Sequence, residues 1–178
     1  AYQTAYLKYY YPVEFMAALM TSVIEMPNKV AEYILVCRQM GIRILPPDIN
    51  RGTYGFSVDG GAIRYGLSAI KSIGRPVIEE LVREREERGE YRSLKDFIER
   101  NITQVNKRAI ENFIKAGAMD CLEGNRRQKM MIYAQIVDSI NQDKKHTMAG
   151  QLSFFDIVSE EDKHEFEIRM PELAEYDK

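Results

Sequence analysis

The chain has 178 residues, room for one or two small domains with modest cores. Its 45% apolar and 29% charged residues are a globular composition, and no run approaches the roughly 20 uninterrupted apolar residues that a membrane helix needs. A net charge of −2 excludes a uniformly basic nucleic-acid binder, but residues 61–130 carry 15 Lys+Arg against 11 Asp+Glu, whereas residues 156–178 carry 3 against 9. Such asymmetry permits a DNA-binding face without establishing one.

The opening run, Ala1-Tyr2-Gln3-Thr4-Ala5-Tyr6-Leu7-Lys8, has neither the basic nor the apolar region of a signal peptide. It reads as the middle of a helix, so the expectation is an excised piece of a longer, cytoplasmic protein. Pro12 opens a helix whose Phe15, Met16, Leu19, Met20, Val23 and Ile24 repeat at helical spacing. Pro27 opens a second, through Val30, Ile34 and Cys37, stopped by Gly41. Residues 42–45 are a strand candidate that Pro46-Pro47 ends. Residues 54–58 and 62–65, around Asp59-Gly60-Gly61, predict a hairpin.

From Gly66 the pattern is helical with frequent punctuation. Residues 67–71 predict a short helix, Ser72-Ile73-Gly74-Arg75 a tight turn, and Pro76 a helix running toward Gly89. Ser93 with Asp96 is a capping-box pattern, Asn106 caps the next helix, and Asn125 with Gln128 starts a last long one. The sign-alternating run at residues 83–88 reads as a solvated helix face. Residues 142–150 read as a polar linker, and those after Phe155 as an acidic tail or lead-in to a further domain. The fold class expected is mostly α with a small β-hairpin.

Residues 67–78 follow the helix-hairpin-helix pattern. Its logic is the free backbone N–H groups at the start of the second helix, which suit a phosphate oxygen. Lys71, Ser72, Ile73, Gly74 and Arg75 form the turn, where a glycine admits close approach and the cations add charge without reading sequence. A second candidate centres on Gly117, with Lys115 before it, Lys107 and Arg108 at one end and Arg126 and Arg127 at the other. Two units 43 positions apart suit a tandem grip on both strands of a duplex. Ser72 stands where many such turns have a first glycine. A helix-glycine-helix turn also serves plain helix packing, so a purely structural connector stays open.

Gln151-Leu152-Ser153-Phe154-Phe155 reads as a short linear motif with apolar anchors, or as a segment that tucks back onto this protein's own core. Cys37 and Cys121 stand alone and read as buried thiols in a reducing compartment; His146 and His164 read as solvated. No paired carboxylates for two-metal chemistry, P-loop, dinucleotide turn or Cys/His metal spacing occurs. The chain itself is expected to carry no catalysis and no cofactor.

The opening run, Tyr11-Pro12-Val13-Glu14-Phe15-Met16-Ala17-Ala18, Cys37-Arg38-Gln39-Met40-Gly41-Ile42, Leu45-Pro46-Pro47-Asp48-Ile49-Asn50 and Gly66-Leu67-Ser68-Ala69-Ile70-Lys71 resemble the bacterial DNA polymerase III alpha-subunit family. The resemblance reaches to about Phe155. It implies that residues 1–60 end a fingers domain and that residues 61–141 are a tandem helix-hairpin-helix module holding duplex or primer–template DNA. It implies that residues 151–155 bind the β sliding clamp, with Phe154 departing from the family's preferred leucine. The metal-binding palm, with the Mg2+ the parent would use, then lies outside this chain, and the parent's remaining domains become partners. No membrane partner is implied.

Overall fold

The computed structural model describes residues 2–150. Among these residues are seven helices and a three-stranded sheet: α1 (Tyr2–Tyr10), α2 (Pro12–Ser22), α3 (Pro27–Gln39), β1 (Ile44–Leu45), β2 (Ser57–Asp59), β3 (Ala62–Arg64), α4 (Arg75–Arg88), α5 (Leu94–Asn101), α6 (Lys107–Ala116) and α7 (Arg126–Gly150). The chain is mostly α, as its periodicity predicts.

The starts and stops follow local chemistry. Pro12 and Pro27 occupy the first turns of α2 and α3, where the missing N–H costs nothing. Gly41 takes φ +73, and the Ile42 N–H reaches back to the Cys37 carbonyl at 2.8 Å, closing α3. Gly60 and Gly61, at φ +58 and +76, turn β2 into β3 in the twist that a two-residue hairpin favours. Sheet order is β1-β3-β2, with Ile44 opposite Ile63 in the parallel pair and Val58 opposite Ile63 in the antiparallel one. The expected hairpin therefore gains a third strand.

Two apolar clusters hold the molecule. One joins Met16, Met20, Val30 and Cys37 of α2 and α3 to Ile63 of the sheet and to Phe56 just before β2. The other joins Leu67, Ile78, Leu81 and Phe97 to Ile110, Phe113, Ile132 and Ile136. Tyr91, Phe97 and Phe113 pack edge to face at 5.0 and 5.8 Å in its centre, and deleting Phe97 would cost about 3–5 kcal/mol. The sheet belongs to the first cluster, so the expected boundary at residue 60 falls inside the β2–β3 turn.

The segment after β1 ties the clusters together. Ile49 is fully buried in the second cluster, and its N–H donates to the Ala118 carbonyl at 2.9 Å. The Asn50 amide accepts from the Tyr91 N–H (2.8 Å) and donates to the Tyr91 carbonyl (2.9 Å). Asp48 receives the N–H groups of Asn50 and Arg51, at 2.7 and 3.2 Å. Arg85 donates to the carbonyls of Ile49 and Gly52.

Three expectations change. Residues 67–71 form only a three-residue 3-10 turn, Leu67–Ala69, because Ile70 is already extended and plunges into the core. The run at 83–88 is not wholly solvated. Glu84 receives Arg100 at 3.2 Å, and Arg85 turns inward to backbone carbonyls. Residues 142–150 continue α7 rather than forming a linker.

Candidate nucleic-acid interface

The first turn has the geometry that backbone recognition of phosphate needs. Ser72 sits at φ +66, the one described non-glycine residue with positive φ, which explains why a glycine is common at this place in such turns. Ile73 is buried and anchors the turn. Gly74 caps α4 in an extended conformation with no side chain capping it. The first bond into the helix runs from the Ile78 N–H to the Gly74 carbonyl at 3.3 Å, so the amides of Arg75 and Val77 precede the ladder and Pro76 contributes none. A Cβ at Gly74 would meet only Pro76 Cδ at 3.6 Å, so the backbone is open to close approach. Lys71, Ser72, Gly74 and Arg75 are all exposed. Arg75 lies over the Tyr54 ring at 4.8 Å and donates to Glu79 at 2.7 Å, which raises its guanidinium pKa further.

The second turn is built differently. Gly117 takes φ +79, but its N–H bonds to the Ile114 carbonyl and the Ala118 N–H to the Phe113 carbonyl, both at 3.0 Å. These amides close α6 rather than face a ligand. Nine residues separate α6 from α7, so no tight hairpin forms around Gly117. Arg126 folds over it, donating to both Asp120 oxygens, at 2.9 and 2.5 Å. Lys129 is fully buried and donates to the carbonyls of Leu122 and Gly124 at 2.9 and 2.6 Å; burial lowers its pKa. Asn125 and Gln128 cap each other's backbone reciprocally, as their spacing predicts.

The remaining cations divide by place. Lys107 donates to Asp138 at 2.6 Å and pins α6 to α7. Arg108 and Arg127 are exposed. Lys107 and Arg108 begin α6 and Lys115 ends it, about 10 Å apart along the axis at 1.5 Å per residue. Lys115 pairs with Glu111, yet with Lys71 it lines one cavity of about 430 Å3. Asn112 secures that junction, donating to the Lys71 carbonyl at 2.9 Å. The structure thus brings Lys71, the α4 N-terminus and Lys115 together, while Arg126 is spent on Asp120.

Sequence reasoning missed Asn112 and the internal roles of Arg64, Arg85, Arg100 and Lys129. Arg64 is held by Asp59 and the Pro46 carbonyl, and Arg100 by Glu84 beneath the Tyr91 ring. Their partners lie up to 41 positions away in sequence, Asn112 to Lys71 being the longest, and no local pattern marks them. Among the described residues no group of His, Cys, Asp and Glu is placed to hold a metal ion, and no helix is long and apolar enough to cross a membrane.

Residues 41–129 match the family model described as helix-hairpin-helix motif. The chain belongs to the helix-hairpin-helix family. The match begins before β1, so the family unit includes the sheet that packs on α2 and α3. The chain is similar to DNA polymerase III subunit alpha of Chlamydia pneumoniae, 39% identical over 96% of this chain and 14% of that protein. It is 42% identical to the subunits of Thermus aquaticus and Vibrio cholerae over 90% of its length, covering 13% and 14% of theirs. This helix-hairpin-helix chain therefore spans about one-seventh of the relatives it matches. Gln151-Leu152-Ser153-Phe154-Phe155 lies outside the described residues.

Proposed function

We propose that this chain is the DNA-gripping segment of a replicative, DNA-directed DNA polymerase, holding duplex or primer–template DNA by its backbone without reading sequence. The observation that carries this reading is the open N-terminus of α4 behind the Ser72–Gly74 turn, inside a helix-hairpin-helix match. Unpaired amides, a helix dipole and the exposed cations Lys71 and Arg75 converge on one surface, a combination that favours a phosphate oxygen. Kinship with the polymerase subunits supplies the biological setting. Contacts of this type tolerate sliding because phosphates repeat identically along a duplex.

The chain acts here as a non-catalytic part; the parent's nucleotidyl transfer and its Mg2+ would reside elsewhere in the polymerase. Its remaining domains are partners in this reading. The exposed side chains of Tyr6, Leu7, Tyr9 and Tyr10 on α1, with Tyr11 just after it, supply an apolar surface for them. Gln151-Leu152-Ser153-Phe154-Phe155 would dock to the β sliding clamp and add a tether that raises effective concentration at the primer end. The cytoplasm is the compartment this role implies.

The test is binding of unrelated duplex sequences across a salt series. Equal affinities that fall steeply with salt support the reading, and no binding at low salt contradicts it. Clamp docking is tested separately: Gln151→Ala with Phe155→Ala should abolish clamp capture by this chain, and unchanged capture would sink that part. A connector role is favoured for the Gly117 turn alone, whose amides and nearby Arg126 are consumed internally.

A further inference from the structure

The cavity between Lys71 and Lys115 is not simply more phosphate-binding surface. Apolar side chains predominate among its lining residues, with Pro47, Tyr65, Ala69, Ile70 and Ala116 beside Lys71, Asn112 and Lys115, so a phosphate alone would leave most of the lining unused. Its charge comes from two lysines: among the described residues the Lys71 ammonium has no ion-pair partner, and Lys115 is shared with Glu111. Tyr65 is steadied by Phe56, edge-on at a centroid distance of 4.7 Å. Asn112 uses its Nδ2 on the Lys71 carbonyl, and its Oδ1 accepts no bond within the described residues, so it can take one from a ligand donor.

A largely apolar lining, an aromatic ring packed on Phe56, one free acceptor and two lysines match a flat heterocycle that carries an amino group and is flanked by anions. We propose that this cavity takes a single unpaired nucleotide of a DNA strand, its base against Tyr65 and its flanking phosphates at Lys71 and Lys115. The volume of about 430 Å3 lies in the range of small-molecule sites. The proposal rests on the reading of the Ser72–Gly74 turn as a DNA grip and extends it from duplex to an adjoining single strand. An arriving phosphate would compete with Glu111 for Lys115, so Lys71 carries the larger share of the charge contact.

The test uses the 178-residue chain and a duplex with a short single-stranded overhang, made once with bases and once with abasic nucleotides of equal charge. Base-bearing overhangs should bind roughly tenfold more tightly, the order expected for one stacked base. 2-Aminopurine placed along the overhang should change its emission on binding at one position only. Both readings use the unmodified chain and do not depend on a variant folding. Ala116→Leu, which fills the cavity, should erase the preference for bases. Equal affinity for the two overhangs, with blunt-duplex binding intact, overturns the nucleotide site and leaves the duplex grip standing. Loss of blunt-duplex binding as well overturns both.

Discussion

Gly74 and Gly117 look alike in sequence, each a glycine in a turn flanked by cationic residues, and the structure separates them. Gly117 needs its positive φ, and a Cβ there would meet the Arg126 guanidinium at 2.2 Å. Gly117→Ala should cost about 1–3 kcal/mol in denaturant unfolding, from left-handed strain and a displaced Arg126–Asp120 pair. Gly74 has an ordinary φ of −77 and open space around it. Gly74→Ala should therefore change stability by no more than about 0.5 kcal/mol while weakening duplex binding severalfold, because the added methyl stands where the backbone would meet a phosphate. Cys121 makes a second residue-scale case. Although the residue is exposed, its Sγ lies against the Asn50 amide and the Ala118 carbonyl. Burial of the thiol, then the nearby Asp48 carboxylate, push its pKa up to about 11. At pH 8 the folded chain then holds roughly one-hundredth of the thiolate of an ordinary cysteine. Alkylation should be slow, should accelerate as pH rises toward 11, and should become ordinary in urea; fast labelling of folded protein at pH 8 would contradict this.

Among the elements, those defined by local chemistry were legible in the sequence. Pro12, Pro27 and Asn106 open helices where their residue types predict, Gly41 closes one, and Gly60-Gly61 turns the hairpin. The second hairpin was not legible, because a glycine that closes a helix and one that opens a phosphate loop carry the same local signal. What distinguishes them is the destination of the Gly117 and Ala118 amides, and the nine residues before α7. Nor does local sequence reveal the loop after β1 as a joint. The Pro-Pro-Asp-Ile-Asn run that carried the family resemblance fastens the sheet to α4, Tyr91 and Ala118. Asn50→Ala would leave both main-chain groups of Tyr91 unpaired beside a buried ring, a loss of about 2–3 kcal/mol. A thermal melt should show it as a fall of several degrees; an unchanged melt would mean that the Asn50–Tyr91 hydrogen bonds do not stabilise the joint.

For the whole molecule, net charge is a poor guide. Arg64, Arg85, Arg100 and Lys129 are counted in the basic middle of the sequence but face carbonyls and carboxylates within the fold. On the proposed reading the surface left for DNA is smaller than composition implies, and it centres on Lys71 and Arg75 rather than on two equivalent hairpins. The decisive measurement is duplex affinity as a function of salt for the unmodified chain and for Lys71→Glu with Arg75→Gln, with thermal melts to show that both are folded. The expected result is a variant at least tenfold weaker at low salt, with a logarithmic salt slope shallower by about 2, one unit for each lost phosphate contact. A folded variant that binds as tightly as the unmodified chain, with the same slope, would contradict the α4 N-terminus as the grip.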